Sequence, residues 1–500
     1  MGSRRRKENL ELGGPLATRV VDRKWAHRLA RLDAASLSVY RTHVRLQPLL
    51  TFALLLGSAA PFLACAARDR NVQPANVAGA ESSAESGALG SSPSGSGGES
   101  GWGARDASSM QPIDGKNPMS SSGVCGFTEP VTYGAAAADG MIDVPPHDPQ
   151  IYYVGRIDCR PEGPAFAFPA VSVRLRFEGD ALDLRLRDSG TATAQSTNYY
   201  DVSIDGAPPT RLEVTPGDQV YALARDLAGA EHTAEIVKRV ESNGNSGKGQ
   251  VLGFRLRAGS KLLPVAAKPL RLEFVGDSIT CGYGNEISTT TPDNFHYTTL
   301  NSNANLAYGA VVARELDAEY VAVAVSGRGV YRNYADGAGD LMPVVYDKAL
   351  PDDATAPAWD FSRYTPDAVV VNLGTNDFSP PGPDHDAFKA AYSGLLSKIR
   401  SHYPSALLLA VVGPMLNDGF PAGVAAWTTI QADVSSLVAD LNAQGDSRVH
   451  YLALTPQSSP YGEDWHPTVA THERMAQAVA AELTRLLAAA PGAPGPASAK

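Results

Sequence analysis

The sequence predicts an α/β protein with two folded parts: a jelly-roll-like antiparallel β-sandwich domain, then a three-layer α/β/α domain with a parallel sheet. Two patterns support this prediction. Between about residues 124 and 265, short runs of alternating apolar and polar residues are separated by turn signals, which is typical of antiparallel strands. From about residue 266 to 490, apolar strands alternate with helical stretches, which is typical of a parallel sheet covered on both faces.

The alternation in the first part is clearest in three runs, at residues 171–177, 182–186 and 202–204. The last run leads into Asp205-Gly206, a dipeptide that favours a tight hairpin. Phe254 and Leu256 end the series. Short strands with regular turns therefore favour a two-sheet sandwich.

In the second part, apolar runs predict strands and amphipathic stretches predict helices. The predicted strands are 272–275, 320–325, 368–373, 407–412 and 449–454, and the predicted helices are 305–316, 385–402, 424–443 and 467–489. In a parallel sheet of this kind, ligands bind beyond the carboxyl ends of the strands. Catalytic residues are therefore expected directly after strands.

The ends of the chain have a different composition. Residues 1–65 combine an Arg-rich segment with an apolar run that ends in FLAC, the layout of an export signal with a lipobox-like sequence. We expect an exported protein, extracellular or attached to the cell envelope through a lipid on Cys65, its only link to a membrane. An uncleaved membrane anchor is the alternative, and a start at Val44 would give a signal of ordinary length. Residues 66–123 are predicted to be a disordered Gly/Ser-rich linker, and residues 491–500 a disordered tail.

Charge and cysteine usage exclude two classes of function. The net charge of −10 lacks the basic footprint of a nucleic-acid-binding protein. No cysteine pair has CxxC spacing, so we predict no metal site and no cofactor. Cys125 and Cys159 can pair in an oxidising compartment, whereas Cys281 is predicted to be a buried thiol.

Four short motifs each follow a predicted strand. They are Gly276-Asp277-Ser278, Gly327, Gly374-Thr375-Asn376-Asp377 and Asp464-Trp465-His466-Pro467. Each is weak alone, since it also fits a helix cap, a loop glycine, an Asx turn or a structural histidine. Together they provide a nucleophile in Ser278, a base in His466, and oxyanion donors in the N–H groups of Ser278 and Gly327 and the amide of Asn376. Asp377 is expected to brace its loop.

The motifs in this order resemble the SGNH/GDSL hydrolase superfamily over about residues 270–490. The Asp-Trp-His-Pro block, the N-terminal sandwich and the segments GDSITCGYG, SGRGV, WDF and NLGTND are similar to carbohydrate esterase family 2, over about 145–490. The superfamily usually places its acid three residues before the histidine, where this chain has Glu463. Asp464 lies two residues before, where an extended segment would project it beside His466. The group that orients His466 is therefore Asp464, Glu463 or a backbone carbonyl.

The resemblance implies a serine esterase that removes acetyl groups from polysaccharides such as xylan or mannan through an acyl-enzyme. Trp465, Trp359, Tyr283 and Tyr331 can stack on a sugar ring or pack in the interior. The remaining histidines, among them His296 and His472, are predicted to be surface or structural. Two alternatives stay open: a lipase or thioesterase of the same superfamily, and a glycan-binding surface lipoprotein whose hydrolase part is inactive.

Overall fold

The computed structural model describes residues 122–242 and 247–489. The predicted export segment, Cys65, nearly all of the linker and the C-terminal tail lie outside these residues. The last two linker residues, Ser122 and Gly123, are described and buried, and Gly123 bridges to Tyr153. Among the described helices, none is both long and apolar enough to cross a bilayer.

The first part is the predicted antiparallel sandwich. Two six-stranded sheets have the orders β3-β4-β11-β6-β9, with β1 on β11, and β12-β5-β10-β7-β8, with β2 on β5. The strands are β1 (Met141–Val144), β2 (Tyr152–Val154), β3 (Ile157–Arg160), β4 (Gly163–Phe166), β5 (Ser172–Glu178), β6 (Leu182–Asp188), β7 (Tyr199–Ile204), β8 (Thr210–Glu213), β9 (Gly217–Ala224), β10 (Glu231–Lys238), β11 (Gly249–Arg257) and β12 (Leu262–Leu263). In β5 the apolar residues are buried and the alternating polar residues are more exposed, so the period of two has the predicted meaning.

A disulfide joins Cys125 to Cys159 on β3, with their Cα atoms 5.5 Å apart. Cys281 is a buried free thiol. The structure therefore agrees with the expected state of these three cysteines.

The second part is a five-stranded parallel sheet with the order β14-β13-β15-β16-β17. Its strands are β13 (Leu270–Gly276), β14 (Ala318–Ala324), β15 (Ala368–Asn372), β16 (Leu407–Val412) and β17 (Val449–Ala453). Its helices are α1 (Ser278–Cys281), α2 (Tyr308–Glu315), α3 (Met342–Val345), α4 (His385–His402), α5 (Ala426–Ala443) and α6 (Val469–Ala488). The predicted helix at 305–316 begins later than expected, because residues 304–306 form a separate 3-10 turn.

Helices cover both faces of this sheet. Val369 and Val371 pack in one apolar cluster with residues of α4 and α5. Val370, which points to the other face, packs in a second cluster with residues of α2 and α6. This is the predicted three-layer arrangement, and the order β14-β13-β15 places β13 between its two neighbours.

Candidate active site

Ser278 and His466 meet at the carboxyl end of the parallel sheet. Ser278 is the first residue of α1, directly after β13, and His466 follows a 3-10 turn of residues Glu463–Trp465. Ser278 Oγ lies 2.8 Å from His466 Nε2, and both side chains are buried. This distance is within the hydrogen-bond reach that a general base needs to activate a hydroxyl nucleophile.

The surroundings of His466 define its protonation. Burial lowers the pKa of His466 to about 4, although the charge of Asp464 acts to raise it. The ring is therefore neutral at neutral pH. Nδ1 lies 3.0 Å from the carbonyl oxygen of Glu463, which can only accept a hydrogen bond. Nδ1 consequently carries the proton, and Nε2 is left to accept from Ser278.

The Asp464 carboxylate contacts groups other than His466 Nδ1. It accepts hydrogen bonds from the Tyr283 hydroxyl at 2.7 Å and the Tyr297 N–H at 3.1 Å, and His296 Nδ1 lies 2.8 Å away. The expected alignment of Asp464 with His466 assumed an extended chain. It is wrong because Asp464 lies in a 3-10 turn with φ of +46°.

Tyr283 connects Asp464 to the catalytic imidazole. Its ring stacks on that of His466, with centroids 4.0 Å apart and planes 24° apart. Asp464 holds the Tyr283 hydroxyl and therefore fixes this stacking. Asp464 thus acts on His466 through its charge and through Tyr283.

The Glu463 side chain does not face His466 either. Its carboxylate accepts from the Thr298 N–H at 2.9 Å, the Thr298 hydroxyl at 3.0 Å and the Asn301 amide at 2.6 Å. These bonds anchor the turn whose carbonyl contacts Nδ1. Of the three orienters left open by the sequence, the backbone carbonyl therefore occupies the position next to His466.

The predicted oxyanion donors lie on the neighbouring strand ends. Gly327 follows β14 with φ of +77°, a conformation that favours glycine, and a Cβ there would meet nothing within 4 Å. Asn376 follows β15, and its Nδ2 donates to Asp277 Oδ2 at 3.1 Å and to the Arg328 carbonyl at 2.8 Å. To donate to an oxyanion, this amide has to share or exchange one of these bonds.

Two buried aspartates hold these loops together. Asp377 accepts from the N–H groups of Val330, Tyr331 and Arg332 at 3.2, 2.8 and 3.0 Å, and so braces the loop after β14. Asp277 accepts from the Ile279 N–H at 3.0 Å as well as from Asn376. Burial raises the pKa of Asp277 to about 7. The sequence predicts the bracing by Asp377 but not the link that Asp277 makes to Asn376.

Two of the predicted sugar-stacking aromatics are inaccessible. Tyr283 is 2% exposed beneath His466 and Tyr297. Trp359 is 4% exposed, and the buried guanidinium of Arg156 lies 4.8 Å from its ring centroid. Both are packing aromatics, so their assignment to substrate binding is wrong. Trp465 is partly exposed next to His466, and Tyr331 is also partly exposed.

Sequence reasoning missed two residues beside the site. His296 was expected to be surface or structural, yet it pairs with Asp464, with its side chain 48% exposed. Glu241 comes from the sandwich, and its carboxylate accepts from the Ser326 N–H at 2.6 Å, next to Gly327. No local motif marks either residue, since each partner is distant along the chain.

Two family models match this chain. Residues 153–265 match the model described as Carbohydrate esterase 2 N-terminal, and residues 274–474 match the GDSL-like Lipase/Acylhydrolase family. Together they cover most of the sandwich and most of the parallel-sheet part.

Curated relatives point to the same kind of protein. The chain is 38% identical over 349 residues to the cellulase/esterase CelE of Acetivibrio thermocellus, a match that covers 68% of this chain and 40% of that relative. It is 29% identical over 347 residues to an acetylxylan esterase / glucomannan deacetylase of Cellvibrio japonicus, covering 68% of this chain and 90% of the relative. The chain thus spans less than half of CelE but most of the second relative.

Solved structures share the fold. A family two carbohydrate esterase from Clostridium thermocellum in complex with cellohexaose superposes with a TM-score of 0.62 at 36% identity, covering 67% of this chain and 99% of that one. A family two carbohydrate esterase from Cellvibrio japonicus gives 0.61 at 27% identity, covering 69% and 97%. Both likenesses include the sandwich as well as the parallel sheet, because each covers about two thirds of this chain, which is more than either part alone.

Proposed function

This chain belongs to carbohydrate esterase family 2, and from that premise we propose that it removes O-acetyl groups from polysaccharides through an acyl-enzyme on Ser278. The observation that carries the proposal is the 2.8 Å contact between Ser278 Oγ and His466 Nε2. The contact pairs a hydroxyl with a neutral imidazole in the tautomer that can take its proton. This is the arrangement of nucleophile and general base in serine esterases.

In the proposed first step, Ser278 Oγ attacks the acetyl carbonyl carbon while His466 Nε2 accepts the hydroxyl proton. The tetrahedral intermediate collapses as the bond to the sugar oxygen breaks, and His466 returns the proton to that oxygen. Water then attacks the acetyl-serine, again with His466 as base, and acetic acid leaves. Ser278 is regenerated and no proton is gained or lost by the enzyme.

The imidazolium that forms in each step needs stabilisation. The Glu463 carbonyl accepts from Nδ1, and the negative charge of Asp464 favours the protonated ring. In this proposal the carbonyl sets the tautomer, while Asp464 supplies charge and holds Tyr283 against the ring. Asp464 thus assists His466 without a direct carboxylate bond to Nδ1.

The oxyanion is proposed to lie between the ends of β14, β13 and β15. The N–H groups of Ser278 and Gly327 and the amide of Asn376 come from these three neighbouring strands. Donors placed in advance at the site of developing charge stabilise a transition state strongly. Asn376 joins them by turning one hydrogen away from Asp277 or Arg328.

The substrate assignment rests on the relatives and on one aromatic residue. Relatives are named acetylxylan esterase / glucomannan deacetylase, and one solved relative is in complex with cellohexaose. Trp465 is partly exposed and directly precedes the catalytic histidine. A flat aromatic ring at this point can stack on a sugar and present its acetyl group to Ser278.

The proposed activity is tested with the wild type and the Ser278→Ala variant on 4-nitrophenyl acetate, acetylated xylan and a long-chain 4-nitrophenyl ester. We expect the wild type to act on both acetylated substrates and the variant to lose about 10³-fold or more. Ser435→Ala, which changes a partly exposed serine of α5, serves as the matched control. Mass spectrometry of quenched reactions should find acetyl on the Ser278 peptide.

Equal turnover by the wild type and Ser278→Ala would refute the serine mechanism. Activity confined to the long-chain ester would leave an esterase but exclude a polysaccharide deacetylase. Full retention of activity in Ser435→Ala is needed for either conclusion.

A further inference from the structure

A side chain of the sandwich reaches the loop that carries Gly327. Glu241 lies just after β10 and is 2% exposed. Its carboxylate accepts from the Ser326 N–H at 2.6 Å and also from the Ser326 hydroxyl. The residue next to the proposed oxyanion donor is therefore held at two atoms by one carboxylate from the other part of the molecule.

The same carboxylate also contacts the segment of the nucleophile. Burial and the nearby Glu241 carboxylate raise the pKa of the Cys281 thiol, which lies at the end of the short helix α1 that begins at Ser278. Glu241 thus lies between the loop after β13 and the loop after β14. These loops carry the Ser278 and Gly327 N–H groups, whose relative position determines whether they converge on one oxygen.

The contact restricts the direction of the Gly327 N–H. The bond to the Ser326 N–H holds the peptide plane that precedes Ser326, and the bond to its hydroxyl holds χ1, so the Cα of Ser326 is fixed where the chain enters Gly327. On the other side, the Gly327 carbonyl accepts from the Tyr334 N–H at 2.9 Å. Gly327 is therefore held from both neighbours while it adopts φ of +77°.

The segment that carries Glu241 is itself firmly anchored. The buried guanidinium of Arg239 lies 3.2 Å from Asp201 Oδ1 and also bonds Glu286 of the parallel-sheet part. The Arg239 carbonyl accepts from the Ala304 N–H at 2.9 Å. A carboxylate on this anchored segment can therefore set the position of its partners rather than follow them.

A buried carboxylate is costly unless donors compensate for its lost hydration. A neutral side chain would fill the same space without that cost. The Ser326 N–H and hydroxyl offset part of that cost, although burial still raises the pKa of Glu241. These two bonds to one residue hold the loop after β14 in place.

We propose that Glu241 is a positioning residue for catalysis, which makes the sandwich a structural part of the oxyanion site by directing the Gly327 N–H. This inference rests on the proposed esterase function. Glu241 is not a catalytic residue, because it acts through Ser326.

The test compares Glu241→Gln and Glu241→Ala with the wild type. We expect kcat on 4-nitrophenyl acetate to fall about 10- to 100-fold, less than the full loss of an oxyanion donor, with KM nearly unchanged. Affinity for a small alkyl boronic acid, which forms a tetrahedral adduct on the nucleophilic serine, should fall by a similar factor. Glu241→Gln keeps one acceptor and the volume, so its loss should be the smaller.

Tyr152→Phe is the matched control. It removes another buried hydrogen bond between the sandwich and the parallel-sheet part, from the Tyr152 hydroxyl to Glu319 at 3.2 Å. Glu319 lies at the start of β14, whereas Ser326 follows its end. We expect this variant to lower the melting temperature without changing kcat or boronate affinity.

Folded Glu241 variants with wild-type kcat and boronate affinity would overturn the inference. So would a drop in kcat that merely follows a loss of folded protein, as judged by circular dichroism. If Ser278→Ala matches the wild type in turnover, the proposed function fails, yet a weaker boronate adduct in the Glu241 variants alone would still support the positioning role. If the wild type binds no boronate, the kcat of the folded Glu241 variants alone decides the positioning role, and an unchanged kcat overturns it.

Discussion

His466 combines two properties that a base in this position needs. Burial disfavours its charged form, so Nε2 is free to accept a proton at neutral pH. The charge of Asp464 partly offsets that effect, and in the proposed mechanism it stabilises the imidazolium. A base that is neutral at rest and stabilised when protonated is suited to acyl transfer.

The pH dependence of kcat/KM should reflect this balance. The pKa of His466 is lowered to about 4, so its protonation should make activity fall as pH drops through 4. Asp464→Asn removes a charge that raises this pKa, so the acidic limb should move to lower pH while kcat also decreases. A pH profile with a neutral ester measures both effects. A limb that moves to higher pH would contradict the role given to Asp464.

Asn376 provides a second test at the residue scale. Its amide bonds Asp277 and the Arg328 carbonyl, and it is the only proposed oxyanion donor from a side chain. We expect Asn376→Ala to lose about 10² to 10³ in kcat with little change in KM. Calorimetry should show a folded protein, and wild-type kcat in this variant would remove Asn376 from the oxyanion site.

At the scale of elements, the strand order decides how the motifs meet. β13 lies between β14 and β15, so Ser278 has Gly327 on one side and Asn376 on the other. Parallel strands bring these three ends to one edge of the sheet. His466 comes from the more distant end of β17, and the turn at Glu463–Trp465 carries it back to Ser278.

The contact between α6 and α2 makes a prediction about stability. His472 on α6 is fully buried, and its Nδ1 accepts from the Tyr308 N–H at the start of α2. Burial lowers the pKa of His472 to about 3. The unfolded chain therefore binds a proton more readily than the folded one between about pH 6.5 and 3, and stability falls as pH falls through that window.

His472→Asn keeps an acceptor near Tyr308 but cannot titrate. Between pH 6.5 and 4.5, the free energy of unfolding of this variant should therefore fall by about 2 to 3 kcal/mol less than that of the wild type. Denaturant unfolding at several pH values measures the free energy of unfolding of both proteins. Groups that titrate in the same way in both proteins cancel when the two values are subtracted. Parallel curves for the two proteins would show that His472 is not responsible.

At the scale of the whole molecule, the sandwich and the parallel-sheet part share buried polar contacts. Arg156 of the sandwich pairs with Glu273 of β13 at 3.0 Å, with both side chains fully buried. Glu241 contacts Ser326 beyond the carboxyl end of β14 in the same sheet. Removing one partner while the other charge stays buried is strongly destabilising, so each part supplies polar partners that the other part needs.

The fold was predictable because each part has one dominant period. In β5, apolar and polar residues alternate because one face of the strand is buried. In β16, the residues form a continuous apolar run because both faces of the strand are buried. The export segment, the lipidation of Cys65 and most of the linker stay predictions, since they lie outside the described residues.

Predictions about individual side chains failed where burial determines the exposure of a side chain or an irregular turn determines its direction. Tyr283 and Trp359 have the composition of sugar-binding residues, but their neighbours in space bury them. Asp464 was expected to lie beside His466 on an extended chain, and left-handed backbone at Asp464 and Trp465 redirects it. Neither burial nor such a turn is encoded in the spacing of nearby residues.

The sequence by itself determined the two-part fold and the placement of motifs after strands, because these depend on local periodicity and on the general geometry of parallel sheets. The pairing of Ser278 with His466 was predictable from the order of the motifs, which resembles that of a known family. Only the tertiary structure decided that the Glu463 carbonyl faces His466 Nδ1 and that Glu241 contacts the loop of Gly327. The first contact depends on an irregular turn, and the second joins residues that are 85 positions apart in the chain. They follow from packing in three dimensions, which no short pattern of residues records.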